Sequence, residues 1–339
     1  MKTWICKKPG EFVLEEVSKP VLQPEGAILK IKRIGICGTD LHAYEGTQPY
    51  FSYPRILGHE LSGILTEIDG VSDFKIGQKV SIIPYFHCGE CIACRTGKTN
   101  CCAKMQVFGV HIDGGMAEYI SVPKSALISA EKLDFDAQAL VEPLAIGAHG
   151  IRRAGVTQGE YVLVIGAGPI GLGTMEFARI AGANVIALDV NDSRLDFCRN
   201  NLKVPHIINA LTDNVNEKLS EITNGEMPTV VIDATGNQKA INNAFQYMAH
   251  GGRFVLIGLQ KGEISFSHPE FHKREGTLMS SRNATREDFD HVLDCLAKNK
   301  IDPNSFINFR MSFEEVSEKF DYCLNPENGV IKAVIEIPD

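Results

Sequence analysis

A thiol, an imidazole and a carboxylate in the first sixty residues can be read as one metal site. Cys37 lies in G-I-C-G-T-D-L-H, from Gly35 to His42, and His59 and Glu60 lie in the triplet G-H-E. Thiolate, imidazole and carboxylate donors suit zinc, and three protein donors leave a fourth position for substrate. Glycines at 35, 38 and 58 let the backbone bend close to an ion. Thr39 and His42 follow Cys37 by two and five residues. A hydroxyl and an imidazole beside a polarised substrate could pass its proton to solvent. Each residue alone also has a plainer reading: a buried thiol, an ordinary histidine, a turn cap at Thr39, a surface imidazole at His42.

A second set follows with the spacing C-x2-C-x2-C-x7-C: Cys88, Cys91, Cys94 and Cys102. Four thiolates fill a tetrahedral zinc, so this site is closed and structural. The residues between are small or polar, as in a loop wrapped on an ion. Cys101 competes with Cys102 for the last place, and His87 adjoins Cys88. The N-terminus, M-K-T-W-I-C-K-K-P-G, has no signal-peptide core, which points to the cytoplasm. There the ten cysteines stay reduced and a tight cluster reads as metal ligands.

The third feature binds phosphate. A short apolar strand, Y-V-L-V-I at 161–165, runs directly into G-A-G-P-I-G, and a helix follows to about residue 181. Gly166, Gly168 and Gly171, with Pro169 and Ile170, make the tight turn that lets a pyrophosphate approach a helix N-terminus. The next strand, 184–188, ends at Asp189, an acid 21 residues after Gly168. That spacing suits a carboxylate bound to the adenosine ribose and predicts NAD over NADP, whose 2′-phosphate it would repel. Arg194, five residues on, is the residue that would favour the phosphate. Thr235 and Gly236, which follow a strand at 229–234, complete the candidate cofactor set.

These sites need two different frames. At 339 residues two domains are expected, with the composition of an ordinary globular protein, 44% apolar and 22% charged. The first is mostly β. Strands are predicted at 27–34, 79–83 and 117–122, with Leu29 and Ile31 inward, Lys30 and Lys32 outward, and no long helical period before about 135. Glu142 then opens E-P-L-A-I-G-A-H-G, with Pro143 suited to a first helical turn and Glu142 in the place of a cap. Glu142 either serves that terminus or points back at the zinc. Beyond it, apolar strands at 229–234, 253–257 and 277–280 extend a six-stranded doubly wound parallel sheet. A helix at 289–298 leaves this domain, and a strand at 330–337 returns to the first. The net charge of −8 argues against a nucleic-acid surface, and no apolar run is long enough to span a membrane.

With G-H-E, the cysteine spacing, Glu142-Pro143 and G-A-G-P-I-G in this order, the chain resembles the zinc-dependent medium-chain dehydrogenases over its full length. Glu-Pro, where alcohol dehydrogenases place a zinc-binding cysteine, resembles the polyol and threonine dehydrogenase branch. Three stretches look closer still to sugar-acid dehydrogenases that oxidise L-galactonate or L-gulonate at C5. They are T-Q-P-Y-F-S-Y-P from Thr47, V-F-G-V-H-I-D-G-G from Val107, and the segment from Ser267 to Phe289.

The resemblance implies an α/β fold: a GroES-like catalytic domain over 1–146 and 289–339, with a structural zinc lobe at 86–105, and a Rossmann domain over 147–288. It also implies an active site in the interdomain cleft, zinc and NAD as cofactors, and a homodimer or homotetramer. It favours Cys102 over Cys101. Of the two carboxylates, Glu142 is preferred as third zinc ligand, with Glu60 exchanging, because adjacent residues normally diverge. The substrate would be a small polyhydroxy molecule. If it is an acid it needs a local cation: Arg282 leads, Lys273 and Arg274 follow, and Arg282 serves equally as a pyrophosphate contact or a helix cap. Neutral polyols are the alternative substrates. An NAD-binding sensor without activity and a zinc-independent quinone or enone reductase are the rival functions; the first needs no open metal position and the second no zinc site at all.

Overall fold

The computed structural model describes residues 1–48 and 51–338. Pro49 and Tyr50, within the T-Q-P-Y-F-S-Y-P stretch, lie outside the described residues. The chain forms two compact units, Met1–Pro143 with Thr285–Asp339, and Leu144–Ala284.

The first unit is built on β3 (Gly26–Ile36), a strand of eleven residues. Before it β1 (Lys2–Lys8) and β2 (Glu11–Glu16) form a hairpin. After it come β4 (Glu60–Ile68), β5 (Lys79–Ile82), the short pair β6 (Tyr85–Phe86) and β7 (Gln106–Val107), then β8 (Tyr119–Pro123) and β9 (Leu127–Ser129). The main sheet runs β16-β17-β3-β4-β5-β9, with β8 also paired to β3. Here β16 is Ile307–Ser312 and β17 is Lys332–Glu336. The C-terminal strand thus lies directly against β3, antiparallel. The core gathers Leu29, Ile31, Ile34, Leu61 and Leu65 from β3 and β4 with Ile335 and Phe320 from the end of the chain.

Lys32 corrects the sequence reading: it is buried, not outward. Every residue of β3 is buried or half-buried, so both of its faces are covered and alternation does not mark a wet face. The β3–β4 register also shifts between Ile31 and Arg33, a bulge that resets which side chains face inward.

The second unit is a parallel sheet in the order β12-β11-β10-β13-β14-β15. Its strands are β10 (Tyr161–Ile165), β11 (Asn184–Asp189), β12 (His206–Asn209), β13 (Val230–Asp233), β14 (Arg253–Leu256) and β15 (Thr277–Ser280). The order steps outward from β10 in both directions, which makes the carboxyl ends of β10 and β13 a switch point. Five of these strands stand where the sequence placed them. The sixth, β12, is four residues at the sheet edge, H-I-I-N, with a polar residue at each end and no apolar run to mark it.

Candidate active site and cofactor turn

Cys37 ends the strand-like run of β3 and caps the helix Gly38–Tyr44. Asp40, three residues on, is fully buried and accepts hydrogen bonds from the backbone N–H of Cys37 at 2.9 Å and of Gly58 at 3.1 Å. One carboxylate therefore fixes both segments that carry the donors. It also stands 3.7 Å from Nδ1 of His59. A carboxylate behind a metal-ligating imidazole sets its tautomer and orientation. Asp40 was missed in the sequence, although its spacing from Cys37 is that of a capping box.

Donor atoms of Cys37, His59 and Glu60 lie within 4.8 Å of one another. Glu142 lies outside that group, so the structure gathers the trio through Glu60, not through the carboxylate that was preferred. Adjacent donors converge here because Glu60 opens β4 opposite Gly35. A Cβ at Gly35 would stand 2.1 Å from Glu60 Oε2, so the glycine makes the room. Behind Glu60 is Lys332 of β17. Its ammonium donates to both Glu60 oxygens at 2.7 Å and to the carbonyl of Ile36 at 3.2 Å. Both partners are buried.

Glu142 is not a cap. The helix Val141–Ala154 starts one residue earlier, and Pro143 shares its first turn. Glu142 is buried and accepts a hydrogen bond from the phenol of Tyr85, itself buried on β6. Burial raises the Glu142 pKa, with Glu60 adding repulsion while His59 and Lys332 oppose it. Burial and then Glu142 hold the Tyr85 phenol far above its usual range, so Tyr85 is a donor. Thr39 is half-buried and His42 exposed. They are not bonded to each other among the described residues; His42 Nδ1 is 3.3 Å from both Glu45 and Thr47.

The four sulfurs of Cys88, Cys91, Cys94 and Cys102 also lie within 4.8 Å of one another. Cys102 is buried while Cys101 is exposed and outside the group. His87 approaches Cys94 at 3.9 Å but is no member of the set. Backbone N–H groups of Cys94 and Ala103 lower the pKa of the Cys91 thiol, whereas burial and then Cys91 raise that of Cys94, as expected of thiols that share protons when no ion holds them.

In the second unit Gly166 adopts φ +100°, and a Cβ on Gly171 would stand 1.8 Å from the Gly166 carbonyl. Gly168 caps the helix Pro169–Ile180, with Pro169 in its first turn and Ile170 next. Asp189 ends β11. One of its oxygens accepts the N–H of Ala167 at 2.6 Å, the other those of Val190 and Asn191 at 2.7 and 2.9 Å. The acid thus holds the glycine turn. Arg194 is half-buried, and its side chain enters no hydrogen bond or ion pair among the described residues. Thr235 and Gly236 sit on a turn whose N–H groups are held by Asp233, a second residue the sequence did not disclose. Arg282 is exposed, two residues past β15, at the same carboxyl edge of the parallel sheet. Lys273 and Arg274 are committed to Glu270, at 2.8 and 2.9 Å.

The donor chemistry fits one open and one closed zinc, and the glycine turn fits a dinucleotide. The alcohol dehydrogenase GroES-like domain model matches residues 23–132, and the zinc-binding dehydrogenase model matches 169–298. L-Galactonate-5-dehydrogenase of Escherichia coli strain K12 is 44% identical over 336 residues, 99% of this chain and 98% of that protein. The alcohol dehydrogenase RspB of E. coli CFT073, solved with NADH, superposes with a TM-score of 0.93 at 29% identity, covering 99% of both chains. A protein of Sinorhizobium meliloti 1021 solved with NADP gives 0.90 at 28% identity, over 99% of this chain and 98% of that one. With two zinc-type donor sets, a phosphate turn and relatives of matching length, the chain belongs to the zinc-dependent medium-chain alcohol dehydrogenases, enzymes of zinc and a nicotinamide dinucleotide.

Proposed function

We propose that this enzyme oxidises a secondary alcohol of a sugar acid, L-galactonate or L-gulonate at C5, with NAD as hydride acceptor. The observation that carries the substrate is the 44% identity to an L-galactonate-5-dehydrogenase over nearly the whole of both chains. Cys37, His59 and Glu60 would hold the catalytic zinc, and the four cysteines of the lobe the structural one. When bound, the zinc makes a hydroxyl acidic near neutral pH and the nicotinamide takes the hydride. The protein's part is to orient both. Asp40 holds the donor-bearing segments together, Gly35 admits Glu60, and Asp233 and Asp189 preset the turns against the cofactor. Thr39 and His42 would take the proton outward, with solvent spanning what is not a direct bond. Asp189 supports NAD over NADP because a 2′-phosphate would meet its charge. Arg282, exposed just past the carboxyl end of β15 and carrying a planar guanidinium that can bind a carboxylate by two bonds, is proposed for the substrate carboxylate. By resemblance the enzyme would be a cytoplasmic homodimer or homotetramer.

Turnover of L-galactonate, L-gulonate, sorbitol and threonine with NAD tests the reading. A higher kcat/KM for the acids supports it; equal or better turnover of sorbitol overturns it in favour of a polyol dehydrogenase. Arg282→Ala should raise KM for the acids far more than for sorbitol and leave NAD affinity unchanged. If NAD binding weakens instead, Arg282 serves the cofactor.

A further inference from the structure

Two buried carboxylates lie at this site, and each has its own partner. Lys332 grips Glu60 by both oxygens, yet Glu60 still falls in the donor group with Cys37 and His59. Glu142 is bonded by one oxygen to the Tyr85 phenol and falls outside the group. Tyr85 is held in turn: it is buried on β6, and its ring meets Phe289 edge-on, with centroids 6.2 Å apart. A rigid phenol beside a carboxylate can decide which way that carboxylate faces.

The difference matters through charge. Zinc with one thiolate and one carboxylate is neutral. A second carboxylate would make the set anionic, fill the fourth position and disfavour a substrate oxygen on its way to an alkoxide. We propose that Tyr85 is a positioning residue that keeps Glu142 withdrawn from the Cys37–His59–Glu60 group and so holds the fourth position open for the substrate hydroxyl. The inference rests on the assignment of the catalytic zinc to that group. It concerns a residue 57 positions from Glu142 in sequence, inside no recognisable motif.

The test follows zinc release from the zinc-loaded enzyme into excess EDTA, alongside steady-state kinetics with L-galactonate. Cys37→Ala must first abolish the faster-released zinc and leave the other; if it does not, the site assignment itself fails. Given that, Tyr85→Phe frees Glu142 to ligate, so the faster zinc should leave about tenfold more slowly while kcat falls and KM rises. In a Glu142→Gln background the same substitution should no longer slow release, because the amide is a poor ligand. Unchanged or faster release from Tyr85→Phe overturns the proposal, as does an equal effect in the Glu142→Gln background. Phe keeps the ring against Phe289; should that variant fail to fold, Tyr85→Leu also lacks the hydroxyl and must show the same slowing.

Discussion

At the scale of single residues, the site is held by buried charges in direct contact. Lys332 and Glu60 are both buried and hydrogen-bonded at 2.7 Å. Removing one partner of such a pair strands the other, at about 3–5 kcal/mol. In protein stripped of metal, Lys332→Ala should therefore lower the urea midpoint sharply, and Lys332→Met with Glu60→Leu should recover much of the loss. A wild-type midpoint for the single variant would refute this account of the pair. Asp189 gives a second prediction. Because it also holds the Ala167 N–H, Asp189→Gly loses more than a ribose partner. A lost hydrogen bond to a buried charge costs about 1.5–3 kcal/mol, so kcat/KM for NAD should fall about tenfold or more. The NAD-to-NADP preference should narrow mainly by that fall, with little gain for NADP. A large gain in NADP turnover with NAD unchanged would mean the acid acts only by repulsion.

At the scale of elements, what could be read in the sequence was what is local. The cysteine lobe, the glycine turn and Asp189 lie in short stretches whose spacing carries their chemistry. Tyr85 and Lys332 were not legible, because their partners stand 57 and 272 residues away and nothing in their own neighbourhoods differs from ordinary strands. On sequence alone Glu60 stands second to Glu142 for a related reason. That neighbours diverge is a local expectation, and a glycine on the facing strand, invisible until β3 and β4 pair, removes the obstacle. Strand packing also produces an ionic clasp: Asp136, on the helix Phe135–Ala139, accepts from Arg33 of β3 at 2.8 Å and Arg310 of β16 at 2.7 Å. Burial opposes its charge, but Arg310 and Arg33 hold its pKa below the ordinary 3.8. A lowered folded pKa means its stabilisation is complete above that value and fades as pH falls through the folded one. Asp136→Asn should lower Tm at pH 7 and flatten the drop in Tm below about pH 4. An acid limb parallel to wild type would show that the clasp is not protonated there.

At the scale of the whole molecule, the net charge of −8 acts on an anionic substrate before any contact forms. Repulsion beyond a Debye length of about 8–10 Å is screened at physiological salt and strong in dilute buffer. For a sugar-acid substrate, kcat/KM should rise as sodium chloride goes from about 10 to 150 mM, whereas sorbitol should respond weakly. A fall for the acid over that range would instead mean that local cations dominate its capture.

The place of β17 bears on how the enzyme is made. A ribosome delivers Cys37, His59 and Glu60 early and Lys332 last, 272 residues after the carboxylate it serves. The stretch Leu144–Ala284 is contiguous and can fold while synthesis continues. The unit around the zinc cannot be completed: until β17 emerges, the edge of β3 from Arg33 to Ile36 lacks its partner strand, and Glu60 lacks the ammonium that grips it. Nascent chains arrested before residue 330 should therefore protect the dinucleotide unit from protease and leave the metal-bearing unit open to cleavage.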